Sequence, residues 1–116
     1  MPETAFDPST LPAPVRTYLE AHASRDFAAM SGILRDDAVV VDEGVEHVGP
    51  EAIRAWLGRA ASQFTYTEEL RSQARTGDAE WTVVNHLEGD FPGGVVDLRF
   101  VFELDGDALE RLTIAP

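Results

Sequence analysis

Apolar residues recur with two different spacings along the chain, and the change between them separates a helical part from a strand part. Up to residue 64 most apolar positions follow a helical spacing, as in the stripe formed by Val15, Tyr18, Leu19 and His22. After residue 64 apolar and polar residues alternate, which is typical of strands with one buried face. The pattern therefore predicts helices first and an antiparallel meander afterwards.

Prolines and capping residues set the predicted bounds of three helices. The first begins near Pro12 and Pro14, because the first turn of a helix tolerates a residue without an N–H donor. The second is predicted from Ser24 to Leu34, with Ser24 as its N-cap. The third begins at Gly49-Pro50, and its apolar face consists of Ile53, Trp56, Leu57, Ala60 and Phe64.

Turns that contain glycine separate the predicted strands. The β-branched stretch from Ala38 to Asp42 predicts a short strand, and Gly44 and Gly49 then bracket a turn or a second short strand. Further turns are predicted at residues 76–78, 89–94 and 105–107, and a last strand near Leu109 to Ala115. The inward positions of the later strands are Tyr66, Leu70, Ser72 and Ala74, then Trp81, Val83, Asn85 and Leu87, and then Leu98, Phe100, Phe102 and Leu104.

A sheet with only one apolar face must be covered by the helices. We therefore predict one α+β domain over residues 12–116, in which three N-terminal helices pack in the concave side of a strongly curved antiparallel or mixed sheet, a cone-like barrel. Strands that bend around helices leave room for a cavity. Residues 1–11 are predicted to form a flexible proline-containing arm.

Composition narrows the possible chemistry. With 44% hydrophobic residues, the 116-residue chain can build one core. It has no cysteine and no lysine, which excludes disulfides, thiolate nucleophiles and Schiff bases. The net charge of −12 repels phosphate backbones and anionic lipid, so neither nucleic acid nor membrane is an expected partner. The start of the chain has no signal-peptide pattern, and a cytoplasmic location is expected.

One stretch resembles a known superfamily. It runs Leu34-Arg-Asp-Asp-Ala-Val-Val-Val-Asp42-Glu-Gly and continues as His47-Val-Gly-Pro-Glu-Ala-Ile-Arg-Ala-Trp56; Tyr18 precedes it in the first helix. With the order of elements, it resembles the nuclear transport factor 2-like superfamily, in its SnoaL-like and ketosteroid isomerase-like branches. The resemblance implies a SnoaL-like cyclase or a ketosteroid isomerase-like lyase or isomerase, and a homodimer.

The resemblance also assigns roles to individual residues. In ketosteroid isomerase-like members the acid that ends the first strand is the general base, and here that position is Asp42. A first-helix tyrosine and a late-strand protonated aspartate form the oxyanion hole, and Tyr18 matches the tyrosine. The aspartate has no match: Leu98 occupies its position, and Asp97 points to the opposite face. Steroid isomerase activity is therefore not expected.

Several other side chains are candidates for the cavity wall. The predicted substrate-binding residues are His47, Trp56, Trp81, Asn85, Leu98 and Phe100. Asn85 and Glu68 interrupt apolar strand faces, so each needs a pocket, a partner or a bulge that turns it outward. His47 either relays protons at the pocket mouth, or packs against Trp56, or bonds to the backbone.

Two functional hypotheses follow. In the first, the chain is an isomerase, cyclase, dehydratase or hydrolase that uses Asp42 on a hydrophobic small molecule without a cofactor. Desolvation raises the pKa of a carboxylate, which suits proton abstraction. In the second, the chain is a non-catalytic ligand binder or a dimerising scaffold. The histidines share no ligand spacing, so no metal site is predicted.

Overall fold

The structure is a computed structural model that describes residues 3–63 and 65–116, without the side chains of residues 60–63. Two predictions for the apolar face of the third helix, Phe64 and the side chain of Ala60, therefore lie outside the described residues. So do the first two residues of the predicted arm. The helices are α1 Ala13–Ser24, α2 Phe27–Ser31 and α3 Pro50–Gln63. The strands are β1 Thr4–Ala5, β2 Leu34–Asp42, β3 Val45–Val48, β4 Tyr66–Gly77, β5 Glu80–Gly89, β6 Val95–Asp105 and β7 Ala108–Ala115.

The seven strands form one curved, unclosed sheet, and the three helices pack against it. The strand order is β1-β4-β5-β6-β7-β2-β3. All neighbours are antiparallel except β2 and β7, which are parallel, so the sheet is mixed. This arrangement confirms the predicted α+β class. Within the described residues no helix combines the length and the apolar character needed to cross a bilayer.

The core lies between α1, α3 and the concave face of the sheet. The predicted helical stripe is buried, and Tyr18 packs edge-on against Phe102 of β6 with ring centroids 5.4 Å apart. Ile53 of α3 and Val40 of β2 are also fully buried. The two spacings read from the sequence therefore meet in one apolar layer.

The predicted second helix is too long at both ends. Ser24 belongs to the last turn of α1, where its hydroxyl donates to the backbone oxygen of Glu20 at 2.9 Å. Arg25 then takes a left-handed conformation that ends α1. Asp26 is the true N-cap of α2, since its carboxylate accepts from the backbone N–H of Ala29 at 3.1 Å. Leu34 already belongs to β2.

The N-terminal segment lies along β4. Thr4 and Ala5 pair with Gln73 and Ser72, and Leu11 is buried. The Gln73 side chain accepts from the backbone N–H of Asp7 at 2.7 Å and donates to Thr10 at 2.7 Å. The flexibility predicted for residues 1–11 stays a prediction, but Thr4, Ala5, Phe6, Asp7 and Thr10 all bond to β4.

A close approach at the end of β5 requires glycine. A Cβ on Gly89 would lie 2.4 Å from the backbone oxygen of Thr65 and 2.5 Å from the Cβ of Tyr66. We expect Gly89→Ala to lower the free energy of unfolding by about 1–3 kcal/mol, because this backbone must move apart. Urea denaturation measures the change.

The control is Gly58→Ala in α3, where an added Cβ meets nothing within 4 Å. That variant should be neutral or up to about 1 kcal/mol more stable, because alanine is the better helix former. Equal effects of the two substitutions would contradict the proposed clash at residue 89.

Candidate functional site

A cavity of about 820 Å³ opens at the end of the sheet where β2 finishes and β5 turns into β6. Its wall is mainly apolar, formed by Trp56, Leu87, Phe91, Val96, Leu98 and Phe100. Polar residues interrupt this wall in two groups among the described residues. One contains His22, Asp42 and Glu43, and the other contains Tyr66, Glu68 and Asn85.

Asp42 reaches the cavity because it is the last residue of β2. Backbone pairing to Val45 and to Ile114 of β7 holds it on both sides. Its Oδ2 accepts a hydrogen bond from Trp56 Nε1 at 3.0 Å. No other donor within the described residues reaches this carboxylate, so Oδ1 is the atom left for a ligand.

His22 lines the cavity beside Trp56 and has Tyr18 behind it. The His22 ring lies 5.8 Å from the Trp56 ring and 5.6 Å from the Phe100 ring, between centroids. Its Nδ1 is 2.9 Å from the hydroxyl of Tyr18, one helical turn earlier. Burial, with a smaller contribution from the Arg25 guanidinium, lowers the pKa of His22 to about 4. The imidazole is therefore neutral at pH 7.

Hydrogen-bond satisfaction selects one tautomer of this histidine. Burial raises the pKa of Tyr18 well above its ordinary value, and the Asp42 carboxylate raises it further, so the phenol keeps its proton. The hydroxyl is wholly buried, and His22 Nδ1 is its one partner among the described residues. The phenol must donate to Nδ1 for its hydrogen to be paired. The remaining proton of the ring is then on Nε2, which can donate to a ligand.

Asn85 and Glu68 belong to the second polar group. Asn85 on β5 is only 3% exposed, and its Nδ2 donates to Glu68 Oε2 on β4 at 3.0 Å. Its Oδ1 is buried and accepts no hydrogen bond within the described residues. Both residues line the cavity.

Four of the predicted binding residues lie together on the cavity wall: Trp56, Asn85, Leu98 and Phe100. Tyr18 lies one layer behind it and reaches it through His22. His47 belongs to β3 and packs against Trp56, with ring centroids 5.9 Å apart. Trp81 lies at the other end of β5, opposite Phe102, and packs against the core. The last three residues are outside the wall.

Sequence reasoning missed two residues. His22 is expected from its spacing to be an ordinary core residue, yet the end of α1 places it at the cavity. Gln73, read as outward-facing, is 3% exposed because a bulge between Leu70 and Ser72 shifts the register of β4. A polar residue at a buried helical position is the one sequence signal that points to His22.

The outer face of the sheet carries Asp97, as its position in the alternation predicts. Its carboxylate pairs with His86 Nδ1 at 2.6 Å, and Glu88 pairs with Nε2 at 2.9 Å. Leu98 faces the cavity, so this wall position holds no acid. Among the described residues no group of three or more histidine, cysteine, aspartate or glutamate side chains is arranged to hold a metal ion.

We expect Asn85→Leu to stabilise the protein. The substitution removes a buried, unpartnered oxygen, whose burial costs about 1–3 kcal/mol, while Glu68 can be hydrated at the cavity mouth. A net gain of about 1 kcal/mol would raise Tm by roughly 3–6 °C in a domain of this size. Asn85→Asp is the matched control and should lower Tm, because it adds a carboxylate beside Glu68. A fall in Tm for the leucine variant would show that Asn85 is already satisfied.

Comparisons with known proteins agree with this geometry. Residues 15–109 match a family model described as a SnoaL-like domain. A structure from Sinorhizobium meliloti, described as a candidate polyketide cyclase, is 33% identical, covers 95% of this chain and 100% of its own, and has a TM-score of 0.86. A search of curated proteins finds no match.

Two more distant structures have the same fold. A ketosteroid isomerase-like protein from Catenulispora acidiphila, in complex with trimethylamine, is 18% identical over 92% of this chain and 87% of its own, with a TM-score of 0.77. A Mycobacterium tuberculosis protein in complex with estradiol-17beta-hemisuccinate is 14% identical over 89% and 90%, with a TM-score of 0.71. At these identities the likeness extends to the fold alone.

Proposed function

This chain belongs to the SnoaL-like domain family, and on that premise we propose that it is an enzyme that moves a proton on a largely hydrophobic small molecule. Membership of this family and the likeness of the fold support a function in binding a small molecule, and the cavity of this structure fits that function. The proposed base is Asp42, and the proposed reaction class is isomerisation or cyclisation. The reaction needs only side chains of this chain.

One observation carries the proposal: the Asp42 carboxylate lies on the wall of a mainly apolar cavity, with one oxygen bonded to Trp56 and the other without a partner among the described residues. The bond from Trp56 Nε1 fixes the direction of the carboxylate. A base that is already oriented loses little freedom when it meets its substrate. The apolar wall around it is suited to a hydrophobic substrate body.

The proposed step begins with a carbon acid next to a carbonyl group. Asp42 Oδ1 takes the proton from this carbon, and the electron pair of the broken C–H bond moves to the carbonyl oxygen. His22 Nε2–H donates a hydrogen bond to that oxygen, which stabilises the developing charge. Asp42 then returns the proton to another atom of the same substrate, so no atom or electron is gained or lost.

Tyr18 has a positioning role in this proposal. Its hydroxyl holds Nδ1 of His22 and thereby keeps the remaining proton on Nε2. Because His22 is neutral at pH 7, its Nε2–H is a weak acid. It can therefore donate a hydrogen bond to the substrate oxygen without giving its proton to Asp42. Tyr18 thus acts on the substrate through His22, where the resemblance had implied direct contact.

The alternative is a non-catalytic ligand binder or scaffold. The observation that favours it is Leu98, an apolar side chain at the wall position where the resemblance implies an acid. The two functions differ in proton exchange. A thermal-shift screen of steroids, polyketides and terpenoids identifies ligands, and NMR in D₂O then measures deuterium uptake next to their carbonyl groups. Uptake above the protein-free rate supports the enzyme, and ligands that bind without exchange support the binder.

We also propose that the protein is a homodimer through the outer face of the sheet. That face carries the charged cluster of His86, Glu88 and Asp97, so the contact would be partly polar. Sedimentation velocity at micromolar concentration tests this. A single monomeric species would remove the dimer.

A further inference from the structure

We propose that Glu68 and Asn85 form a subsite for a protonated amine, so that the ligand of this cavity is a hydrophobic ammonium compound. The inference rests on the proposed function, since the subsite lies in the same cavity as Asp42. It deepens that function by naming the chemical class of the ligand and the end of the cavity that holds its charge.

The Oδ1 atom of Asn85 has no hydrogen-bond donor among the described residues, and a ligand could supply one. A buried carbonyl oxygen without a partner is costly, and proteins keep such groups mainly where a ligand or water completes them. The orientation of the amide is settled by Glu68, because a carboxylate can only accept and must therefore face the NH₂ group. Oδ1 is then the buried acceptor that has no partner among the described residues, and a ligand donor would have to reach it from the cavity that Asn85 lines.

The charge of the wall favours a cation among possible donors. Among the described residues three carboxylates line the cavity, on Asp42, Glu43 and Glu68, and neither an arginine nor a lysine does. His22 adds no charge at pH 7. Arg25 does not line the cavity, but its guanidinium donates to the hydroxyl of Tyr66, which does, and it contributes to the lowered pKa of His22. The three carboxylates outnumber this one guanidinium, so the balance of charge favours an ammonium group over an anion.

An ammonium group matches both acceptors of the subsite. It has several N–H donors, so one can bond to Asn85 Oδ1 and another to the Glu68 carboxylate. Hydrogen bonds between charged partners are about twice as strong as neutral ones. A neutral alcohol has one donor and satisfies only one of these acceptors.

The subsite and the proposed base are at opposite sides of the cavity. Glu68 is on β4 and Asp42 on β2, and three strands, β5, β6 and β7, lie between them in the sheet. Leu98 and Phe100 of β6 form the wall in the middle. A ligand anchored by its amine at Glu68 would extend its apolar body over this wall toward Asp42.

Three probes of one shape test the inference: naphthylmethylamine, naphthylmethanol and naphthoate. Isothermal titration calorimetry should show that the amine binds about tenfold or more tightly than the alcohol. Naphthoate should not bind measurably. Added salt should weaken the amine and leave the alcohol unchanged, because only the amine carries charge to be screened.

Two variants on β4 locate the effect. Glu68→Gln should weaken the amine about tenfold and leave the alcohol unchanged, since the amide keeps the bond to Asn85 and loses the charge. Glu69→Gln makes the same change one residue along on the same strand; both glutamates are exposed, but Glu69 does not line the cavity, so this variant should alter neither affinity. Asn85→Leu should also weaken the amine.

The outcomes separate this inference from the proposed function. Equal affinities for amine and alcohol, equal effects of the two glutamine variants, or no amine binding would each overturn the amine subsite. Amine binding that depends on Glu68, with no proton exchange on any ligand, would leave the subsite standing and remove the enzyme. Proton exchange on a ligand, together with an affinity for the amine that Glu68→Gln leaves unchanged, would do the reverse.

Discussion

Asp42→Asn is expected to lower the rate of proton exchange by about 10²–10⁴-fold, the usual contribution of a positioned base. Asparagine has nearly the same shape, and its amide oxygen can still accept from Trp56 Nε1. The fold and the apolar wall should therefore be unchanged. We expect Tm to stay within a few degrees and ligand affinity within a few fold, so that the loss appears in kcat. NMR detection of deuterium uptake measures it.

Asp36→Asn is the matched control for this variant. Asp36 lies on the same strand, is exposed, and changes by the same atoms. It should exchange at the wild-type rate. Full exchange activity in the Asp42 variant would show that the proton is moved by another group, and a loss in both variants would indicate a nonspecific charge effect.

The second large effect is a loss of stability in acid that originates at His22. Its pKa is about 4 in the folded protein, below the ordinary value of 6.5. The unfolded chain therefore binds a proton that the folded one does not, between these two values. The contribution of neutral His22 is fully present above pH 6.5 and is lost as the pH falls toward 4. The loss from this residue is about 3 kcal/mol, at about 1.4 kcal/mol for each pH unit of the window.

Urea denaturation of the wild type and of His22→Gln at pH 7 and pH 4 isolates this term. Both proteins share all other titrating groups, so the difference between their free energies of unfolding should shrink by about 3 kcal/mol between pH 7 and pH 4. His86→Gln is a control of opposite sign. Hydrogen bonds to Asp97 and then Glu88 raise the pKa of His86, so its contribution is present in acid and is lost as the pH rises through that raised value. A His22 resonance that titrates near 6.5 would contradict the prediction.

The fold was predictable because it depends on the spacing of apolar residues, which can be read directly from the sequence. The stripe on α1 and the alternation in β5 and β6 identify buried positions one by one, and Tyr18, Val83 and Phe102 are all fully buried. Where the alternation is interrupted the prediction failed. The bulge after Leu70 turned Gln73 inward, and a bulge depends on pairing with a neighbouring strand that local sequence does not specify.

The site was predictable in part. Asp42, Trp56 and Asn85 occur at the cavity because each is on the inward face of its element. The layering of Tyr18 behind His22 could not be foreseen, because both share one helical stripe and only the position of the cavity decides which is in front. Trp81 shares the inward face of Asn85, but the cavity occupies only one end of that face.

The parallel pairing of β2 with β7 has a consequence for folding kinetics. Asp42 pairs with Ile114, so the proposed base is held on one side by a strand that is far from it in the sequence. The long chain segment between the two strands, which contains α3 and β3 to β6, must bring its ends together before this pairing stabilises the fold, so such contacts are slow to form. Neighbouring hairpins such as β4–β5 can form earlier from local contacts. A competent cavity is therefore expected to be among the last features acquired, and refolding monitored by ligand fluorescence should lag behind that monitored by circular dichroism.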